Sequence, residues 1–157
     1  MKVTDTHVYF WGSEFSNWYE CKFKHKNLTF FNSEQAFMWE KAVYFHDMEI
    51  AKKMVETSNP SVAKKLGRQV KGFDAAKWLK VSYDIMVVVN MAKFSQNLIL
   101  KDVLLETEDR ILVEASPFDV IWGVGLREDD DDILDEHNWK GQNLLGKALM
   151  EVRHNLK

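Results

Sequence analysis

The chain is 157 residues long, which fits one domain able to bury about two thirds of its unfolded surface without a disulfide or metal staple. Its single cysteine, Cys21, excludes an internal disulfide and a thiolate metal cluster and suits a reducing compartment. A net charge of −3 excludes a protein that coats DNA through overall positive charge.

Taken in chain order, the first six residues are polar and lack an apolar run, so no signal peptide is expected. Residues 8–11 and 28–31 read as short strands. Ser33 is placed to cap a helix running to about Phe45, and Asn59 followed by Pro60 starts another that Gly67 is placed to stop. Asp74 caps a long helix through Trp78, Tyr83, Met86 and Val89 towards Phe94. The longest apolar stretch, near residues 85–89, falls far short of the ~18 residues of a membrane span. Residues 96–105 read as a further helix with Leu98, Val103 and Leu104 on its apolar stripe and Leu100 less well placed. Residues 111–114 and 120–122 read as strands, and 143–154 as a last helix whose stripe is Leu145, Ala148, Leu149 and Val152. The expected fold class is α+β: one mainly helical domain over residues 1–157 with a small β-sheet.

Charge is unevenly distributed. From Lys52 to Lys80 the chain carries eight cations against Glu56 and Asp74, a pattern that serves either phosphate attraction or the solvated face of two helices. Between Glu128 and Glu136 lies an acidic run, expected to be a mobile surface loop. It lacks the central glycine of a calcium loop. The five histidines stand at no metal-ligand spacing, so no metal and no cofactor are expected.

The most informative segment is Ser33-Glu34-Gln35-Ala36-Phe37-Met38-Trp39-Glu40-Lys41-Ala42. At about 100° per residue, Glu34, Met38, Lys41 and Phe45 share one stripe, with Glu34 and Lys41 about 10 Å apart along the axis. Ala36, Trp39 and Val43 occupy the far side, so the helix is expected to be largely buried. Two charges on such a stripe are costly unless paired or used. Either they reach the rim or have structural partners, or they form a pocket wall. In a wall, burial raises the pKa of Glu34 and lowers that of Lys41. A carboxyl so tuned protonates a leaving group, and an amine so tuned attacks a sugar carbon.

Other constellations are less specific. The run from Phe10 to Tyr19 mixes aromatic with small polar residues, as would suit stacking a base and binding a sugar, or a core loop. Arg68 is placed to fork onto a phosphate or to form a surface ion pair. Glu114 ends a short apolar strand and leads through Asp119 to Trp122-Gly123, an arrangement where sites tend to be built. Backbone N–H groups at the start of the last helix, near Asn143, form a natural anion site, and Asn143 is equally suited to be only a cap.

Taken together, Phe10-Trp11-Gly12 with Phe15-Ser16-Asn17, Ser33-Glu34 with Lys41-Ala42, Leu66-Gly67-Arg68, Ala92-Lys93-Phe94, Leu112-Val113-Glu114, Trp122-Gly123 and Gly141-Gln142-Asn143-Leu144-Leu145-Gly146 resemble the YbiA/NADAR family over nearly the whole chain. The resemblance implies hydrolysis of an N-glycosidic bond between a phosphorylated ribose and an exocyclic base nitrogen. The substrate would be either a riboflavin-pathway aminopyrimidine intermediate or ADP-ribosyl-guanine, so the expected partner is a small nucleotide-like molecule or an ADP-ribosylated nucleic acid, in the cytoplasm and away from membranes. Lys41, Glu34 and Glu114 are the expected catalytic residues, by a covalent lysine adduct or by direct attack of water. Expected substrate contacts are Phe10, Trp11, Gly12, Ser16, Asn17, Trp18, Arg68, Lys93, Asp119, Trp122, Gly123 and Asn143. The rival readings are a non-catalytic ADP-ribose or nucleotide reader and a nucleic-acid-binding module that uses the basic segment.

Overall fold

A helix can bury a polar side chain only where another element answers it, and such answered groups determine how these segments assemble. The computed structural model describes all 157 residues. In chain order its elements are β1 (Lys2–Val3), β2 (His7–Phe10), β3 (Phe23–His25), β4 (Leu28–Phe30), α1 (Ser33–Tyr44), α2 (Met48–Val55), α3 (Pro60–Arg68), α4 (Ala75–Gln96), α5 (Leu98–Leu105), β5 (Ile111–Glu114), two 3-10 turns (Asp131–Leu134 and Glu136–Asn138) and α6 (Leu144–Leu156). The fold is therefore α+β, as expected. The chain divides into two compact units: Met1–Ser16 with Ile99–Lys157, and Asn17–Leu98.

In the first unit β2 is the central strand of three. It pairs antiparallel with β1 (Lys2↔Tyr9) and parallel with β5 (His7↔Ile111, Phe10↔Glu114). Tyr9 and Val113 face a core of Ala115, Val124, Leu126 and Ile133, covered by Ile111 and Trp139. The free side of β5 is closed by one side chain. Asn143 Oδ1 accepts the Glu114 N–H at 2.9 Å, and its Nδ2 donates to the Leu112 carbonyl at 2.8 Å. The Asn143 amide thus stands where a fourth strand would, satisfying groups that would otherwise be buried and unpaired. Asn143 adopts left-handed geometry (φ 53°) to reach them. Helix α6 follows closely, and any side chain at Gly146 would collide with the Leu112 carbonyl.

In the second unit, β3 and β4 form a hairpin whose turn residues Lys26 and Asn27 both have positive φ, the twist a tight hairpin needs. Helix α1 packs against α2, α3 and α4. Its cap is Asn32, which accepts the Gln35 N–H at 2.8 Å; Ser33, the expected cap, is the first helical residue, and its hydroxyl donates to Asn90. Gln35 is fully buried. It accepts the Phe31 N–H at 2.8 Å and donates to the carbonyls of Met54 (2.9 Å) and Thr57, joining α1 to α2. On another face of α1, the buried Glu40 carboxylate receives His25 Nε2 at 2.6 Å and Lys26 Nζ at 2.8 Å from the hairpin. Asp47 caps α2 through the Ile50 N–H and also accepts the Lys71 N–H.

Several elements differ from expectation. Helix α2 was not anticipated, although its Asp47 cap and the buried Ile50, Ala51 and Met54 carry the helical period. The two- and three-residue strands β1 and β3 are too short to leave a pattern. Residues 120–122 form a turn rather than a strand, because their carbonyls receive N–H groups from Gln142, Leu144 and Leu145. Gly67 does not stop α3. It lies inside the last turn, where a side chain would collide with Met38 Sδ, so its smallness serves α1–α3 packing. Asn97 separates α4 from α5, and Leu98 is 72% exposed whereas Leu100 is buried. The acidic run is folded into the two 3-10 turns, pinned by the fully buried Ile133, whose carbonyl accepts Trp139 Nε1–H.

Two stability changes are expected. Asn143→Ala orphans Glu114 N–H and Leu112 C=O and should cost about 2–4 kcal/mol in urea unfolding. Asn143→Gly relieves the backbone but not the lost bonds, so it should recover only a part. For Glu40, burial alone would raise the carboxyl pKa, but hydrogen bonds and charge from His25 and Lys26 pull it below the ordinary value. A depressed carboxyl stabilises the fold above its unfolded pKa, and that stabilisation disappears as pH falls through the folded pKa. Glu40→Gln should therefore cost about 1–3 kcal/mol at pH 7, and the gap to wild type should close as unfolding is measured at progressively more acid pH.

Candidate active site

Helix α1 holds Glu34 in its first turn and Lys41 in its last. Its N-terminus is anchored by the Glu34 N–H donating to the Asn17 carbonyl at 2.9 Å. Both charged residues are partly buried, whereas their neighbours Phe37, Met38 and Ala42 are buried. Lys41 Nζ lies 4.3 Å from the centroid of the Phe73 ring. Burial pushes the Lys41 pKa down; the Glu34 carboxylate pulls it back up, and Arg68 pushes it down again, for a net lowering. Glu34, Arg68 and the apolar cover thus act on one amine. Such a group is a competent nucleophile once neutral, and a cation able to stabilise anionic charge while protonated.

The remaining expected site residues of the second unit divide sharply. Arg68 is exposed at the end of α3 and so open to a phosphate. Asn17 is partly buried; its Nδ2 approaches Met86 Sδ at 3.5 Å, and its Oδ1 is enclosed without a hydrogen-bond partner. Trp18 is 46% exposed. Lys93 does not reach solvent at all. It is fully buried, with Nζ 4.9 Å from the Phe94 centroid and 5.7 Å from that of Tyr19.

In the first unit, Glu114 sits buried at the end of β5, its N–H fixed by Asn143. Asp119 Oδ1 accepts the N–H groups of Ile121 and Trp122, both at 2.9 Å, and so spends one carboxylate oxygen on holding the turn that presents the partly buried Trp122. Ser116, not singled out in the sequence, accepts the N–H groups of Phe118 and Asp119. Gly123 is buried where a side chain would press on Ser116 and on the carbonyls of Asp119 and Glu114. Phe10 is fully buried against Phe15, a core position rather than a substrate contact. Asn143 is likewise taken up by β5, and the amides expected to bind an anion are occupied: Asn143, Leu144 and Leu145 donate to Gly123, Ile121 and Trp122. Trp11 is half exposed beside Phe118; Gly12 needs its positive φ (74°), and the buried Ser16 donates its N–H to the Ser13 carbonyl.

A model of the NADAR domain matches residues 9–157. The chain belongs to the NADAR family. Among NADAR relatives, N-glycosidase R617 of Acanthamoeba polyphaga mimivirus is 40% identical over 163 residues, covering 96% of both chains. N-glycosidase YbiA of Escherichia coli is 31% identical over 159 residues, covering 98% of this chain and 91% of YbiA. The NMR structure of the E. coli protein YbiA matches with a TM-score of 0.79 at 30% identity, covering 99% of this chain and 87% of that one. A riboflavin biosynthesis protein of Vibrio vulnificus is 29% identical over 142 residues, 90% of this chain but 35% of that protein. With near full-length NADAR relatives of this kind, the protein is an N-glycosidase. No helix in it is long and apolar enough to cross a membrane.

The charges around Lys41 set an expected order of amine reactivity. Arg68→Gln removes a cation that depresses the Lys41 pKa, so the pKa should rise. Glu34→Gln removes the carboxylate that supports the ammonium, so the pKa should fall further. The pH dependence of Lys41 acylation by an amine-reactive ester, followed by mass spectrometry, should shift to higher pH in the first variant and to lower pH in the second. Equal profiles in all three proteins would show that the three charges do not interact.

Proposed function

We propose that this NADAR protein hydrolyses the bond between C1 of a phosphorylated ribose and an exocyclic base nitrogen, using Lys41 as nucleophile and Glu34 as proton donor. The observation that carries the reading is the partly buried Lys41 amine, lowered in proton affinity, sharing the face of α1 with Glu34 and covered by Phe73.

The amine attacks C1 while an acid protonates the departing nitrogen, and the C1–N bond breaks. Opening of the sugar ring leaves an imine between C1 and Lys41. Water then adds to the imine, releasing ribose phosphate or ADP-ribose and returning the amine. The net reaction consumes one water and needs no redox cofactor. Arg68 is the phosphate contact and Trp18 the candidate for stacking on the base. The two substrate classes are ADP-ribosyl-guanine, free or in nucleic acid, and aminopyrimidine ribose phosphates; the name of the Vibrio relative supports the latter. A reducing, cytoplasmic setting suits the single free thiol.

Both substrate classes should be offered to the purified protein, with release of free sugar phosphate as the readout. Lys41→Ala should lose at least about 10³-fold in kcat and Glu34→Gln about 10²–10⁴-fold, with circular dichroism unchanged. Borohydride added during turnover should leave a ribose-derived mass on Lys41. Cleavage without any such adduct would sink the covalent route in favour of water activated by a carboxylate. Full activity in Lys41→Ala would sink the site assignment itself.

A further inference from the structure

The fold gathers positive charge far more strongly than the net charge of the chain suggests. Residues 52–80 carry eight Lys and Arg against two acids, a local +6 in a chain of net −3. Every one of those eight cations is exposed. Helix α3 explains the arrangement. Ala63, Gly67 and Val70 turn inward at helical spacing, which leaves Lys64 and Arg68, one turn apart, on the outer face. Past α3 the chain places Lys71, then Phe73, then Lys77 in the first turn of α4. Lys71 is tied down by its N–H to Asp47, and Lys53 from α2 acts on the same carboxylate. Of the two opposing acids, Asp74 is engaged in capping α4 at the Lys77 N–H.

An aromatic lies inside this positive strip. Phe73 is 47% exposed, with its ring against Phe45 at 5.4 Å and against Lys41 Nζ. Cations spaced along a surface, with an open ring among them, match the alternation of phosphates and unpaired bases in a single strand. A duplex would offer the phosphates but no free base face.

We infer that the outer face of α3 and the start of α4 form a docking strip for a single-stranded nucleic acid, with Lys64, Arg68, Lys71 and Lys77 on phosphates and Phe73 under a base. The strip borders the proposed Lys41 site and shares Arg68 and Phe73 with it, whereas Lys64, Lys71 and Lys77 have no part in the proposed chemistry; it binds unmodified strand, whether or not the strand carries a cleavable base. A failure of cleavage and a failure of docking are therefore distinguishable.

The test uses the full chain and a fluorescent, unmodified single-stranded oligonucleotide of about 12 nucleotides, followed by anisotropy from 25 to 300 mM salt. Four phosphate contacts predict a slope of log K against log salt of about −3. The double variant Lys64→Glu with Lys77→Glu should weaken binding at least tenfold, and Lys64→Gln with Lys77→Gln should fall between it and wild type. Both should keep wild-type cleavage of a mononucleotide substrate, which also reports that they are folded. A duplex of the same sequence should bind more weakly than the single strand. Absence of binding at 25 mM salt would overturn the proposal, as would binding indifferent to both variants, duplex bound as tightly as single strand, or capture by phosphatidylserine vesicles without capture of the oligonucleotide.

Discussion

The second unit depends on one constraint: helix α1 can bury its polar side chains only at one rotation about its axis. Gln35 has no contact with water, and its amide is answered by Phe31, Met54 and Thr57. Asn32 answers the first turn, and Glu40 is answered by His25 and Lys26. Turning the helix by one residue, about 100°, would strand all of these groups in an apolar interior, at about 1–3 kcal/mol or more for each. The rotation is therefore fixed by groups outside the proposed chemistry, and it sets the direction of Glu34 and Lys41. The position of Lys41 is a consequence of where Gln35 and Glu40 find partners.

Partial burial is what suits Lys41 to the proposed nucleophilic role. A fully solvated lysine stays protonated at neutral pH and does not attack carbon. Lys93, against the rings of Tyr19 and Phe94, is fully enclosed. Lys41 lies between these extremes, with Phe73 removing water from one side and Arg68 and Glu34 pulling its proton affinity in opposite directions. Such balance is adjustable by single charges in a way that desolvation alone is not.

Periodicity made every helix but α2, and the main strands, legible in the sequence. Asn59-Pro60 and Asp74 mark real helix starts, the stripe of α6 is inward as read, and β5 falls on residues 111–114. What the sequence did not disclose were contacts between segments remote from each other. Nothing near Asn143 says that its side chain will complete β5, some 30 residues earlier in the chain, or that the following amides will be consumed by carbonyls at 121–123. A helix N-terminus looks like an anion site in one dimension and is a structural junction in three. Gly67 and Phe10 mislead in the same way, because a small residue at a helix end and an aromatic at the end of a strand each have a packing use that only the neighbour reveals. Phe73 errs in the opposite direction, since no local pattern connects it to Lys41.

Helix α1 carries two carboxylates, Glu34 and Glu40, and the contrast between them shows how a fold sorts one residue type into two uses. Six residues separate them, so they point about 120° apart around the axis. Glu40 faces the hairpin, where His25 and the Lys26 ammonium hold it ionised and make it a fastening. Glu34 shares the face of Lys41, whose proton affinity its charge raises against the lowering by burial. A carboxylate held below its ordinary pKa by such partners has little use as a proton donor, because its conjugate acid is disfavoured. The hairpin residues His25 and Lys26 therefore do more than hold α1 in place: by occupying Glu40 they leave Glu34 as the carboxylate of this helix on the face that carries Lys41.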